Sequence, residues 1–132
     1  MPLKVYYAAS VRGAGRDLEA TRKAIQTIKE AGHVALTEHL AGSSESLSDQ
    51  QVYQRDMRLL EQADLLIADV TFPSLGVGFE ICKAIQLNKP VYLVAREGVK
   101  VSKLIAGITD VKRYSSLEEM SSIIKDILTS FD

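Results

Sequence analysis

The sequence has one cysteine, no excess of charge of either sign and no long apolar run. The lone Cys82 in 132 residues excludes an internal disulfide and a zinc site built from several thiolates. A net charge of −1 argues against a nucleic-acid partner, because binding along a phosphate backbone needs a basic face. No apolar stretch approaches the roughly 20 residues that span a bilayer, so we expect no membrane partner either.

The chain also has no internal repeat, linker or low-complexity tract, and its length suits one continuous hydrophobic core. We therefore expect a single domain over residues 1–132. The first residues read directly as a strand, without the basic-then-apolar pattern of a signal peptide. Together with the single cysteine, this favours a reducing, cytoplasmic location.

Apolar β-prone runs alternate with helical patterns, as in the βαβ units of a parallel sheet. The predicted strands cover residues 5–9, 33–37, 65–70, 90–95 and 111–114. The predicted helices cover residues 17–31, 48–62, 75–88, 102–106 and 117–131. Periodicity places Leu18 on the buried stripe of the first helix, Ser48 and Gln51 form a capping-box pattern, and Cys82 reads as a buried small hydrophobe. The order predicts an α/β fold, a single-domain, flavodoxin-like (Rossmann-like) three-layer sandwich with a five-stranded parallel sheet.

The most informative stretch is residues 65–80, LLIADVTFPSLGVGFE. It reads as a buried strand that breaks into a turn, followed by a helix with Glu80 near its start. Gly76 and Gly78 let a ligand approach the backbone, and the free N–H groups at a helix start attract anions. Glu80 is then a candidate glycosyl-transferring nucleophile. The alternative is a solvated acid favoured at a helix N-terminus.

Asp56 is a second candidate carboxylate, because it lies on the apolar stripe of its helix, four residues from both Val52 and Leu60. A carboxylate on such a stripe is expensive to desolvate, so it needs a partner or a function. The alternative to a functional acid is an internal ion pair with Arg55, with Arg58 or with a residue of a neighbouring element.

The loop Ser10-Val11-Arg12-Gly13-Ala14-Gly15-Arg16 combines small residues with two arginines. Guanidinium groups bind phosphate in a bidentate way, and backbone N–H groups add donors. The loop is neither a dinucleotide fingerprint nor a P-loop, because the Lys-Ser/Thr pair is absent. A phosphate site and a plain surface loop both fit this pattern.

Three further residues lie near the carboxyl ends of the predicted strands, where parallel sheets bind their ligands. Ser74 suits a helix N-cap or a phosphate donor, and the two roles are compatible only if the helix begins slightly later. Tyr6 suits either a core aromatic or a site hydroxyl. His39 follows a strand end, where a histidine is often incidental.

Four segments in order resemble one family over nearly the whole chain. They are Tyr6-Tyr7-Ala8-Ala9-Ser10-Val11-Arg12-Gly13, Leu36-Thr37-Glu38-His39, Gln54-Arg55-Asp56-Met57, and residues 63–80 with their Gly-Val-Gly-Phe-Glu end. The chain resembles the nucleoside 2-deoxyribosyltransferase superfamily, and within it the 2′-deoxynucleoside 5′-phosphate N-hydrolases.

The resemblance implies a catalytic group of three residues. Glu80 corresponds to the nucleophile that attacks C1′ of the deoxyribose, Asp56 to the acid that assists departure of the base, and Tyr6 to a hydroxyl that positions both nucleophile and sugar. It implies no cofactor and no metal, because the missing 2′-hydroxyl makes the oxocarbenium-like cation easier to form.

The resemblance also implies a substrate-binding set and a partner. The residues expected to contact the 5′-phosphate, sugar or base are Ser10, Arg12, Gly13, Arg16, His39, Ser74, Gly76, Gly78 and Ser102. Ser102 matches a serine that a neighbouring subunit contributes, which implies a homodimer. Serine at position 74, in place of the acid typical of transferases, favours 5′-monophosphates. A deoxyribosyltransferase and a non-catalytic nucleotide-binding module remain alternatives.

Overall fold

Five strands and five helices alternate in a computed structural model that describes residues 1–11, 15–40 and 46–131. The strands are β1 (Lys4–Ala9), β2 (Val34–Leu36), β3 (Leu65–Asp69), β4 (Val91–Arg96) and β5 (Val111–Tyr114). The helices are α1 (Leu18–Glu30), α2 (Asp49–Gln62), α3 (Leu75–Gln86), α4 (Lys103–Ala106) and α5 (Leu117–Thr129), with a 3₁₀ turn at Glu38–Leu40. The predicted residues Arg12 and Gly13 lie outside the described residues.

All strand pairs are parallel, and the sheet order is β2-β1-β3-β4-β5. This confirms the predicted flavodoxin-like sheet. The strand order reverses between β1 and β3, and ligands of such sheets bind outside the carboxyl ends of the strands at that point. The ligand edge is therefore where β1 and β3 end.

Alternation along β1 divides the core between the two faces of the sheet, because successive side chains of a strand point to opposite sides. Tyr7 packs on one face with the apolar side chains of α1 and α5, whereas Tyr6 packs on the other with those of α2 and α3. The predicted three layers are thus present, and Tyr6 faces the helices that carry Asp56 and Glu80. Among the described residues, no helix is long and apolar enough to cross a membrane.

Two burial predictions are wrong. Leu18 is 41% exposed, because it lies about 120° around α1 from Ala24, at the centre of the buried stripe. Cys82 is exposed on the side of α3 that faces away from the buried Ile81 and Val77. The predicted capping box is confirmed, since Ser48 Oγ accepts from Gln51 N and the Gln51 side chain accepts from Ser48 N.

Candidate active site

Glu80 and Tyr6 form a buried pair on the α2–α3 face of the sheet. Glu80 lies in the second turn of α3 and is 9% exposed, and Tyr6 of β1 is fully buried. The Tyr6 hydroxyl donates a hydrogen bond to Glu80 Oε2, across 74 residues of sequence. The interpretation of Glu80 as a solvated helix residue is therefore wrong, and Tyr6 is both a core aromatic and a partner of the candidate nucleophile.

The environment of Glu80 raises its pKa from 4.5 to about 7. Burial is the largest cause, and the charge of Asp56 adds to it, whereas the Tyr6 hydrogen bond and the charge of Arg55 lower the pKa. Burial and the Glu80 charge also raise the pKa of Tyr6, which stays a protonated donor. Near neutral pH, Glu80 therefore populates both its ionised and its protonated form, as a catalytic acid or base requires.

Asp56 is next to this pair, on α2, and its side chain is 19% exposed. Arg55 Nε donates to Asp56 Oδ1 at 2.9 Å, so the ion pair with Arg55 is present. The charges of both residues act on Glu80, which shows that the ion pair is part of the same cluster. The periodicity that selected Asp56 also fits Arg55, which lies three residues after Val52 and four before Leu59. Sequence reasoning treated it only as an alternative partner.

His39 supports Tyr6 from the 3₁₀ turn that follows β2. The two rings stack with centroids 3.9 Å apart and planes 11° from parallel. His39 Nε2 donates to the Tyr7 carbonyl at 2.6 Å, which fixes the buried ring against β1. The stacking and the hydrogen bond together hold His39 and Tyr6 against each other. Contact of His39 with a substrate stays a prediction.

The described residues at the two ends of the segment 10–16 are joined by hydrogen bonds. Ser10 Oγ donates to the Gly15 carbonyl at 2.7 Å, and Arg16 Nη1 donates to the Val11 carbonyl at 3.3 Å. A Cβ at Gly15 would lie 2.3 Å from Cδ1 of Phe72, so only glycine fits beneath that ring. The loop therefore contacts the turn that precedes α3, and two of the predicted phosphate-binding segments meet.

Ser74 is the N-cap of α3, because its Oγ accepts from Val77 N at 3.2 Å. We expected that Ser74 could serve both as a cap and as a phosphate donor only if the helix began later than Leu75. The helix begins at Leu75, and that requirement is wrong. A hydroxyl that accepts one hydrogen bond still has its proton to donate, and the cap and phosphate roles are compatible as they stand.

A cavity of about 420 Å³ adjoins this cap. Ser74, Gly78, Lys100 and Ser102 line it together with apolar side chains such as Phe72. Among the described residues, its lining does not include Glu80 or Tyr6, which pack on the inner side of α3. Val77 and Ile81, which are buried on the same helix as Glu80, also line the cavity, so the cavity with its serines and the carboxylate cluster both adjoin α3.

The two helix glycines border open space. A Cβ at Gly76 would be 3.9 Å from Ser74 Oγ, and a Cβ at Gly78 would have no neighbouring atom within 4 Å among the described residues. Packing within the chain therefore does not require glycine at either position. Close approach of a ligand to the first turn of α3 would require glycine at these positions.

A second polar network, which sequence reasoning missed, fixes the turn after β3. Asp69 accepts from Thr71 N at 3.0 Å, from Thr71 Oγ1 at 2.5 Å and from the Tyr114 hydroxyl at 2.7 Å. Thr71 Oγ1 accepts from Arg96 N at 3.0 Å, and the Arg96 guanidinium pairs with Asp17 at 2.7 Å. The network joins the turn that leads to α3 to the N-cap of α1, which follows the loop at residues 10–16.

The described residues contain no group of three or more histidine, cysteine, aspartate or glutamate side chains that could hold a metal ion. The chemistry at hand is that of two carboxylates, one tyrosine and one buried guanidinium. Such a set suits proton transfer and nucleophilic catalysis at a sugar carbon.

Comparisons with known proteins show which family the chain belongs to. A family model described as Nucleoside 2-deoxyribosyltransferase matches residues 5–116. A Thermofilum pendens protein named "Putative 2'-deoxynucleoside 5'-phosphate N-hydrolase 1" is 44% identical over 113 residues, which are 81% of this chain and 79% of the relative. The 5-hydroxymethyl-dUMP N-hydrolase of Mus musculus is 36% identical over 123 residues, 86% of this chain and 70% of the relative.

Solved structures show the same fold at lower identity. A CMP N-glycosidase of Clostridium botulinum superposes with a TM-score of 0.68 at 20% identity, over 92% of this chain and 97% of that one. A 2-deoxyribosyltransferase of Bacillus psychrosaccharolyticus gives a TM-score of 0.69 at 20% identity, over 89% and 90% of the two chains.

The parallel sheet makes this an α/β protein, and its relatives make it an enzyme. The chain belongs to the nucleoside 2-deoxyribosyltransferase family. The predicted class of enzyme within it, an N-glycosidase, is confirmed.

Proposed function

We propose that this protein hydrolyses the N-glycosidic bond of 2′-deoxynucleoside 5′-monophosphates through a glutamyl–sugar intermediate. The products are a free nucleobase and 2-deoxyribose 5-phosphate. The observation that carries the proposal is the buried, tyrosine-bonded Glu80 beside the ligand edge of the sheet. The names of the relatives, which specify deoxynucleoside 5′-phosphates and 5-hydroxymethyl-dUMP, support the substrate class.

In the first step, Glu80 Oε1 attacks C1′ while the bond from C1′ to the base nitrogen breaks and its electron pair leaves with the base. Tyr6 donates to the other carboxylate oxygen and so orients the attack. A pKa of about 7 leaves a large ionised fraction of Glu80 at neutral pH. The transition state has oxocarbenium character, which the nearby carboxylate stabilises before it forms the ester.

Asp56 assists the leaving base. Its partly exposed carboxylate takes up a proton from solvent and donates that proton to the leaving base in the first step. In the second step a water attacks C1′, the ester bond to Glu80 breaks, and Asp56 takes up the proton of the water. One acid–base residue thus serves both steps, as in glycosidases that retain configuration.

The 5′-phosphate is held at the first turn of α3. Ser74 and Ser102 supply hydroxyl donors, and Gly76 and Gly78 leave the helix backbone open to the ligand. The helix N-terminus adds a favourable dipole for an anion. The loop at residues 10–16, with Ser10, Arg12, Gly13 and Arg16, completes the phosphate site in this proposal.

A product assay tests the proposal against its two alternatives. The protein is incubated with dGMP and dCMP, with the corresponding deoxynucleosides, and with GMP and CMP, in the presence and absence of a second free base. We expect free base and 2-deoxyribose 5-phosphate from the deoxynucleotides whether or not a second base is present. Exchange that depends on the second base would indicate a transferase, and binding without any free base over hours would indicate a non-catalytic module.

We further propose a homodimer in which Ser102 reaches the site of the neighbouring subunit. α3 is apolar on its outer face as well as its inner one, with Leu75 98% and Phe79 51% exposed. Leu104 in α4, close to Ser102 in sequence, is 82% exposed. Large apolar side chains exposed on the outer face of a helix favour burial of that face against a partner. Because Leu75 and Ser102 line one cavity, a second copy that covers this surface also adjoins the proposed phosphate site.

Replacement of Leu104 by glutamate is expected to give a monomer with at least about tenfold lower kcat/KM, because a charge is costly inside an apolar interface. Sedimentation velocity measures the assembly. Leu18→Glu on α1, where the native side chain is 41% exposed, is the matched control and should keep both assembly and activity. A Leu104→Glu protein that stays dimeric, or a monomer with full activity, would contradict the proposal.

A further inference from the structure

Arg55 is a buried arginine beside the catalytic cluster. Its residue exposure is 7%, and its Nε donates to Asp56 Oδ1 at 2.9 Å. Its Nη1 is fully buried and has no hydrogen-bond partner within the described part of the chain. Few buried polar atoms in folded proteins lack a partner, so this one calls for an explanation.

Stability alone does not account for the ion pair between Arg55 and Asp56. Taking two charges out of water is costly, and the attraction within the pair repays this cost only when the remaining donors are also satisfied. Here Nη1 is not. An apolar side chain of similar length would fill the same space on α2 without that cost, so a role in the site is the better explanation.

The groups around Glu80 show what that role is. Tyr6 of β1 donates to Glu80, and Asp56 and Arg55 of α2 act on it through their charges. His39, from the turn after β2, stacks on the Tyr6 ring. Among these described neighbours, Arg55 carries the positive charge. The charge of Asp56 raises the pKa of Glu80, and the charge of Arg55 opposes that effect.

We propose that Arg55 is a positioning residue of the reaction, a buried cation that orients the carboxylate of Asp56 and allows Asp56 and Glu80 to occupy one site. The proposal rests on the proposed function. Two separable properties are involved. The fixed direction of the Nε–H bond aims Asp56 at the leaving base, and the positive charge favours the ionised form of Glu80 that attacks C1′.

The variants Arg55→Met and Arg55→Lys separate these properties, because lysine keeps the charge and loses the planar fork. For Arg55→Met we expect kcat on dGMP to fall about 100-fold with KM within about threefold, and the ascending limb of the pH profile of kcat/KM to move up by about one pH unit. For Arg55→Lys we expect kcat to fall about tenfold, whereas the ascending limb of the pH profile of kcat/KM stays at the wild-type pH. Arg22→Met, at an exposed position on α1, is the matched control and should change neither.

Two measurements show whether the effect runs through Asp56 and Glu80. In an Asp56→Asn background, Arg55→Met should lower kcat by only about a further tenfold, because the orientation of Asp56 no longer matters while the charge that acts on Glu80 is still lost. A ¹³C NMR titration of the Glu80 carboxyl group, assigned with Glu80→Gln, should show a higher pKa in Arg55→Met than in the wild type. This titration needs no turnover.

The proposal is overturned if Arg55→Met keeps the wild-type kcat and pH profile. It is also overturned if Arg55→Met lowers kcat as much in the Asp56→Asn background as in the wild type, or if the substitution leaves the pKa of Glu80 unchanged in the titration. If Arg55→Met does not fold, an Arg55→Lys protein with unchanged kcat overturns it equally. Wild-type protein that releases no base from any nucleotide would refute the proposed function, whereas the NMR titration would still decide the electrostatic role of Arg55.

Discussion

Replacement of Glu80 by alanine is expected to lower kcat for base release by at least about 1,000-fold while nucleotide affinity stays within about tenfold. The substitution removes a bond that forms only during the reaction, so its cost falls on the transition state and not on substrate binding. Base release measured by chromatography and equilibrium binding of dGMP measured by calorimetry give the two quantities. The split between them distinguishes a nucleophile from a residue that merely shapes the site.

Glu80→Gln provides the matched variant for this experiment. It keeps the volume of the side chain and an oxygen that can accept from Tyr6, so the buried cluster should stay intact while the nucleophile is lost. Glu97→Gln, at an exposed position after β4, controls for the loss of one negative charge and should keep full activity. A Glu80→Gln protein with more than a tenth of the wild-type rate would remove Glu80 from the proposed role.

Ser74→Asp is expected to lower kcat/KM for deoxynucleoside monophosphates by about 100-fold and to change it for deoxynucleosides by less than about fivefold. A carboxylate at this position would face a phosphate dianion, and an uncompensated like-charge contact costs several kcal/mol. The fold should survive the change, because aspartate is as good an N-cap as serine and can still accept from Val77 N. Steady-state kinetics on dGMP and deoxyguanosine give the comparison.

Ser116→Asp is the matched control, because Ser116 caps α5 through the same kind of bond, from Glu119 N at 3.1 Å. It should leave the ratio of the two substrates unchanged. Equal losses on monophosphate and nucleoside in Ser74→Asp would show that Ser74 acts only as a helix cap, and the proposed phosphate site would then need another location.

Local patterns were sufficient to predict most of the fold. Apolar runs of strand length and 3.6-residue periodicity located the five strands and five α-helices to within a few residues, and the capping box at Ser48 and Gln51 fixed the start of α2. The 3₁₀ turn at Glu38–Leu40 was not predicted. The errors came where a pattern was extended too far around a helix. Leu18 and Cys82 are apolar, but each lies off the buried face of its helix.

The site was less predictable because its contacts join distant parts of the sequence. Glu80 and Asp56 were recognisable as candidates from their positions on helices, whereas the bond from Tyr6 to Glu80 depends on how α3 packs against β1. The stacking of His39 on Tyr6 likewise depends on the turn after β2. Arg55 was accessible to the same periodicity as Asp56. Its role depends on burial, which the sequence did not reveal.

The central claim is that Glu80 captures the sugar, and the configuration at C1′ of a trapped product tests it most directly. When methanol competes with water, the wild-type protein should form methyl 2-deoxyriboside 5-phosphate in the β configuration of the substrate, because two successive displacements at C1′ retain configuration. NMR spectroscopy of the product assigns the anomer. An α product would mean that the solvent attacks C1′ directly while the base leaves, and no ester with Glu80 forms.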